Sequence, residues 1–140
     1  MSISDRKIKV LLAKLGLDVH SRGAIVVATM LRESGMELIY IGNAFPAEIT
    51  EVAIQEGVDT VGISTLGGSH LTLGGELMEL AKQKGICDSM VFIIGGVFPP
   101  YDVPKLKEIG FDGVFNPGAT QEQISTFIRE AVATKTALSR

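Results

Sequence analysis

What this 140-residue sequence lacks narrows its chemistry first. It has a single cysteine, Cys87, so no disulfide can close within the chain, which fits a reducing, cytoplasmic setting. Its two histidines, His20 and His70, cannot build a protein-only metal site with that one cysteine unless carboxylates join them, and no helical His-x-x-x-His pair exists. No stretch approaches the ~20 apolar residues that cross a bilayer. The basic then apolar N-terminus is interrupted by Lys9 and Lys14 and lacks the core of a signal peptide. A net charge of −3, with lysines and arginines scattered, argues against nucleic acid or a membrane surface as partner. Neither Gly-x-Gly-x-x-Gly after a strand-like run nor Gly-x-x-x-x-Gly-Lys-Ser/Thr is present, which weakens dinucleotide and P-loop readings.

What the sequence does have is apolar runs punctuated by glycine. Hydrophobic content of 46% suffices for one domain over 1–140, with residues 1–7 and 135–140 expected to fray. Ile8–Ala13 reads as a buried strand, followed by a helix over Gly23–Ser34 with apolar positions at helical spacing. Met36–Ile41, Thr60–Ser64, Met90–Ile94 and Gly113–Phe115 read as further strands. Pro46 opens a second helix, Leu73 to Ala81 marks a third, Val103–Ile109 a fourth. Thr120-x-x-Gln123 has the form of a capping box opening a last helix. Four of these helices stop at Gly35, Gly57, Gly85 and Gly110, spaced 22, 28 and 25 residues apart.

Alternation at that period indicates repeated βα units around a parallel sheet. Right-handed crossovers then favour an α/β, flavodoxin-like (Rossmann-like) doubly wound sheet of five strands, order 2-1-3-4-5, with helices on both faces. Ligands of such folds sit beyond the carboxyl ends of the strands, at the switch point between strands 1 and 3. The loops there are 14–22 and 65–70, flanked by 95–101 and 116–120, and they hold Gly67, Gly68, Gly95, Gly96 and Gly118. The first is expected to run to roughly eight or nine residues, above the usual 2–6.

The same fold carries many functions, so the crevice residues must decide. A phosphoacceptor receiver needs acidic residues where this chain has Lys14 and Ser64. Cys87 precedes the fourth strand, at the far end of the sheet from the crevice, so a Cys–His nucleophile is not expected there. Elimination leaves open a single axial ligand to a metal whose other positions a macrocycle fills. His20 suits that role, and Asp18, two residues earlier, would project to the same side in extended backbone and could fix its tautomer. Lys14 could hold Asp18 in turn.

Asp18-x-His20-x-x-Gly23, Ser64-x-Leu66 and Gly95-Gly96, each placed after a strand, together resemble the three signatures of cobalamin-binding domains. The resemblance runs from about Lys7 to Ala133. With Val10–Gly23, Gly68-Ser69-His70, Gly95–Pro100 and Phe115–Gly118, it is most similar to the cobalamin domain of methylmalonyl-CoA mutase and its relatives. Val19 and Ser21 depart from the Gly and Asp that these mutases often carry.

The resemblance implies adenosylcobalamin bound with its own base displaced, and His20 as the cobalt ligand, supported by Asp18 and Lys14. It places Ser64 and Leu66 at the benzimidazole pocket, Gly95 and Gly96 beside the nucleotide tail, and Pro117, Gly118 and Thr120 at its border. It implies radical carbon-skeleton rearrangement of an acyl-CoA, completed by a large substrate-binding subunit, because a TIM barrel of about 250 residues has no room in this chain. The substrate is left open among methylmalonyl-, ethylmalonyl-, isobutyryl- and 2-hydroxyisobutyryl-CoA.

Blander roles stand beside these: Asp18 and Thr120 as helix caps, Lys14 as a solvated strand end, Ser64 bonding backbone at a strand end, Leu66 as rim packing and Gly95-Gly96 as an ordinary turn. His70 is expected to be a crevice or interface residue rather than a ligand. The rival functions are a corrinoid methyl carrier, which typically has an N-terminal helical cap that seven residues cannot supply, and a cobalamin carrier or sensor.

Overall fold

In β1 (Lys9–Leu15), side chains alternate between two faces of a sheet, and both faces are apolar except at Lys9 and Lys14. A strand buried on both sides needs helices on both sides, and the chain supplies them. A computed structural model describes residues 7–16, 22–65 and 70–138, with Arg22 described by its backbone alone. After β1 come α1 (Arg22–Glu33), β2 (Glu37–Ala44), α2 (Pro46–Glu56), β3 (Thr60–Thr65), α3 (His70–Gln83) and β4 (Val91–Gly96). A 3-10 turn (Pro100–Asp102) leads into α4 (Val103–Ile109), then β5 (Gly113–Phe115) and α5 (Gln121–Leu138). The sheet is parallel, in the order β2-β1-β3-β4-β5.

Two separate cores follow from the alternation. Leu11, Ala13, Val61, Ile63, Phe92 and Ile94 face α2, α3 and α4, meeting Ile49, Leu77 and Leu106. Val10, Val91 and Ile93 face α1 and α5, meeting Leu31, Ile128 and Val132. Each fully buried side chain of this kind contributes about 1.5–3 kcal/mol.

The strands begin and end on specific polar devices. Asp59 donates its N–H to the Lys9 carbonyl and accepts the Lys9 N–H on Oδ2. Asp112 repeats the arrangement on Phe92, with an N–H donated at 2.7 Å and one accepted at 2.8 Å. The two aspartates thus pin β3 to β1 and β5 to β4 at the amino ends of the strands. At the opposite edge β2 is half exposed, and an extra residue between Tyr40 and Gly42 breaks its register with Leu12 and Ala13.

Several boundaries differ from the sequence expectation, each for a reason visible in the pairing. β1 does not stop at Ala13: Lys14 pairs with Asn43 and Ser64, and Leu15 with Ala44, so the strand takes in the first two residues of the expected 14–22 loop. β4 extends through Gly95 and Gly96 because these pair with Ser64 and Thr65. α5 runs to Leu138, past the fraying expected after Thr134, because the Lys135 ammonium donates to the Cys87 and Met90 carbonyls and to Asp112 Oδ2. The capping box is present as read. Thr120 Oγ1 accepts the Gln123 N–H at 3.1 Å and Gln123 Oε1 accepts the Thr120 N–H at 2.9 Å. No helix among the described residues is long and apolar enough to cross a membrane.

Candidate functional site

The carboxyl halves of the central strands form the site. On the α1/α5 face, one row across the sheet is Leu12, Gly62, Ile93 and Gly113, and the next row outward is Lys14, Ser64, Gly95 and Phe115. The second row is small only at its centre, at Ser64 and Gly95, and the first has a glycine at its centre. A cavity of about 290 Å³ opens above them. Its floor is Leu12, Gly62 and Ile93; Gly23, Val26, Val27 and Met30 of α1 form one wall; Asn116, Pro117, Ala119 and Ile124 form the other. Gly95, Gly96 and Val97 line the β4 side.

Two glycines explain the hollow. A Cβ on Gly62 would stand 3.3 Å from Leu12 Cδ1 and 3.4 Å from Ile93 Cγ1, so any larger residue would close the floor. A Cβ on Gly96 would collide with the Thr65 carbonyl oxygen, so only glycine lets β4 lie this close to β3 as it leaves the sheet. At the start of α1, a Cβ on Gly23 would lie 3.9 Å from Ser64 Oγ, which places that hydroxyl against the helix start. The result is a narrow, mainly apolar slot with few polar groups, suited to a flat, mostly apolar ligand portion.

The structure brings together Gly23, Ser64, Gly95, Gly96 and Pro117 as slot residues. Lys14 lies in β1 beside Ser64 and is buried, where a solvated strand end was one expectation. Gly118 and Thr120 flank the wall formed by Pro117 and Ala119 and do not line the cavity; Thr120 is engaged in the helix cap. Asp18, His20 and Leu66 lie outside the described residues. The sequence reading missed Gly62, Leu12 and Ile93. The signal was there: Gly62 and Ile93 stand two residues before Ser64 and Gly95, and residues two apart on a strand share a face.

The chain matches the B12 binding domain family over residues 8–124, most of its length. It belongs to that family. Relatives are similar in sequence as well as in fold. The chain is 40% identical over 129 residues to the 2-hydroxyisobutanoyl-CoA mutase small subunit of Aquincola tertiaricarbonis, covering 91% of this chain and 94% of that one. It is 38% identical over 121 residues to the pivalyl-CoA mutase small subunit of Xanthobacter autotrophicus, covering 85% and 80%. In fold it is similar to a cobalamin-binding protein from Desulfitobacterium hafniense, with a TM-score of 0.78, 22% identity, and coverage of 90% of this chain and 60% of that one.

At the amino ends of the strands, the B12-binding domain has a second, unrelated depression lined by Cys87, Asp88, Asp112 and Lys135. Burial pushes the Cys87 thiol up, against the pull of the nearby Lys135 ammonium. A thiol held protonated and remote from the slot is no nucleophile for it.

Proposed function

We propose that this chain is the small, cobalamin-binding subunit of an adenosylcobalamin-dependent acyl-CoA mutase. The observation that carries the reading is the match to the 2-hydroxyisobutanoyl-CoA mutase small subunit over 91% of this chain and 94% of that one, in a chain whose slot lies at the carboxyl ends of the strands, where ligands of such folds sit. The residues present fit the cofactor's tail. Gly62 leaves the floor open where any Cβ would fill it, and Gly95, Gly96 and Pro117 line the β4 and β5 sides.

In this reading His20 is the lower axial ligand of cobalt, Asp18 holds its second ring nitrogen, and Lys14 supports Asp18 from the carboxyl end of β1. Ser64 and Leu66 border the displaced base, Gly23 lets it approach α1, and Gly118 and Thr120 sit at the edge of the tail's path. When bound, adenosylcobalamin supplies a weak cobalt–carbon bond for radical rearrangement of the carbon skeleton of an acyl-CoA. The protein's part is to exclude water from the tail, orient the ring ligand and present the cofactor's upper face to a large, barrel-type subunit that holds the substrate. A cytoplasmic setting is consistent with the single, reduced cysteine.

Titration with adenosylcobalamin, followed by visible absorption and by electron paramagnetic resonance of the reduced cob(II)alamin form, tests the assignment. The wild type should bind base-off with a protein nitrogen on cobalt. His20→Ala should lose that nitrogen signature and at least about tenfold in affinity. An unchanged spectrum and affinity would sink the ligand role. Partner capture gives a second discriminator: a CoA-binding subunit supports the mutase, and a methyltransferase supports the carrier.

A further inference from the structure

We propose that the buried His70–Asp102 pair is a positioning device for the cobalamin slot, fixing the course of the chain where it leaves β4. The inference rests on reading the slot as the site of the cofactor's tail. His70 is the first residue of α3, and Asp102 closes the 3-10 turn 32 residues later. His70 Nε2 lies 2.8 Å from Asp102 Oδ2, with side chains 9% and 7% exposed. The Phe98 ring packs on the imidazole, centroids 5.1 Å apart and planes tilted 32°.

The connection to the slot is along the chain. Gly95, Gly96 and Val97 form its β4 side, and β4 ends in the ladder where Gly96 pairs with Thr65. The next residue after Val97 is Phe98, buried against His70, while Val97 itself is 59% exposed. Anchors at Phe98 and Asp102 therefore hold the segment from its far side. They do so from α3, which packs on the opposite face of the sheet from the cavity.

Filling space does not explain the pair. A carboxylate only accepts, so in the neutral ring Nε2 carries the proton and Nδ1 is a bare acceptor. Nδ1 is buried, with no partner among the described residues. Lys105 Nζ is 3.7 Å from Asp102 Oδ1 and mostly exposed. Two apolar side chains would occupy the same volume without desolvating a carboxylate or stranding a nitrogen. What they would lack is direction, which a hydrogen bond imposes and an apolar contact does not.

The test uses the full chain, with adenosylcobalamin affinity and dissociation rate read by visible absorption and thermal melting of the cofactor-free protein read in parallel. His70→Gln keeps a donor near the Nε2 position and should bind within about twofold of wild type, whereas His70→Asn reaches only the Nδ1 position and should lose roughly tenfold. Asp102→Leu should lose as much, and the His70→Leu/Asp102→Leu double variant should lose no more than one single variant. That double variant should also melt at or above wild type, a split that a merely stabilising pair would not produce. Equal affinities for Gln, Asn and wild type, or affinity losses that track melting temperature across all variants, would overturn the proposal. A wild type that binds no cobalamin would instead remove the reading beneath it.

Discussion

The two faces of this sheet are made by alternate residues of the same strands, yet they are packed differently. Toward α2, α3 and α4, Val61, Ile63, Phe92 and Ile94 are all at most 2% exposed and meet Leu77 and Leu106, each 0% exposed, so side chains fill the layer. Toward α1 and α5 the amino half is equally full, with Val10, Val91 and Ile128 at 0%. The carboxyl half of that face instead presents Gly62 and Gly95 under helices that stand off. Stability therefore resides in one whole layer and half of the other, and the slot occupies the remaining half-layer. The slot has been made by omitting side chains from a sheet whose opposite face carries the load.

That contrast is open to direct attack. Leu77→Ala, on the packed face, should cost about 2–5 kcal/mol of stability by urea unfolding, the range for a fully buried leucine in a close-packed core. Cobalamin affinity of the folded fraction should stay within about twofold, because no wall of the slot moves. A large affinity loss at full folding would show that the two layers are coupled and break the comparison. Gly62→Val reverses the roles. The new Cβ would lie 3.3–3.5 Å from Leu12 Cδ1 and Ile93, flexible side-chain ends that need give by only a few tenths of an ångström, and valine suits a strand better than glycine, so the cofactor-free protein should melt near wild type. Affinity should fall roughly a hundredfold, since the tail would meet side chain where it now meets open floor. Retained affinity would mean that the ligand does not use the floor between α1 and the sheet.

Much of this contrast could be read from the sequence, and the unread part has physical causes. Apolar runs, helix stops at Gly35, Gly57, Gly85 and Gly110, and the Thr120/Gln123 box are local signals, so element order and sheet topology followed from them. All four stop glycines have positive φ, between 61° and 133°, as a helix stop of this kind requires. Strand ends were harder. Lys14 and the Gly95-Gly96 pair look like loop residues because a lysine and glycines are poor in strands, but the ladder to Ser64 and Thr65 overrides that preference. Gly62 was read as an ordinary strand residue, since its role depends on what stands above it on α1 and α5. The pairing of His70 with Asp102 depends on two elements meeting 32 residues apart, which no local pattern encodes.

The smallest effect concerns the border of the slot. Thr120 was placed both at the cofactor tail and at a helix cap, and the geometry favours the cap: its hydroxyl accepts the Gln123 N–H, and the side chain is exposed. Thr120→Ala should cost about 1 kcal/mol of stability, the usual loss for removing an N-cap oxygen. Thr120→Ser, which keeps that oxygen, should restore it. Affinity for cobalamin should change by less than about threefold, because Ala119 and Ile124, on either side of the cap, already form the wall and are held by the rest of α5. A tenfold loss of affinity in Thr120→Ala that Thr120→Ser repairs would move the hydroxyl from the helix to the ligand. It would also extend the hollow half-layer one residue beyond the apolar wall.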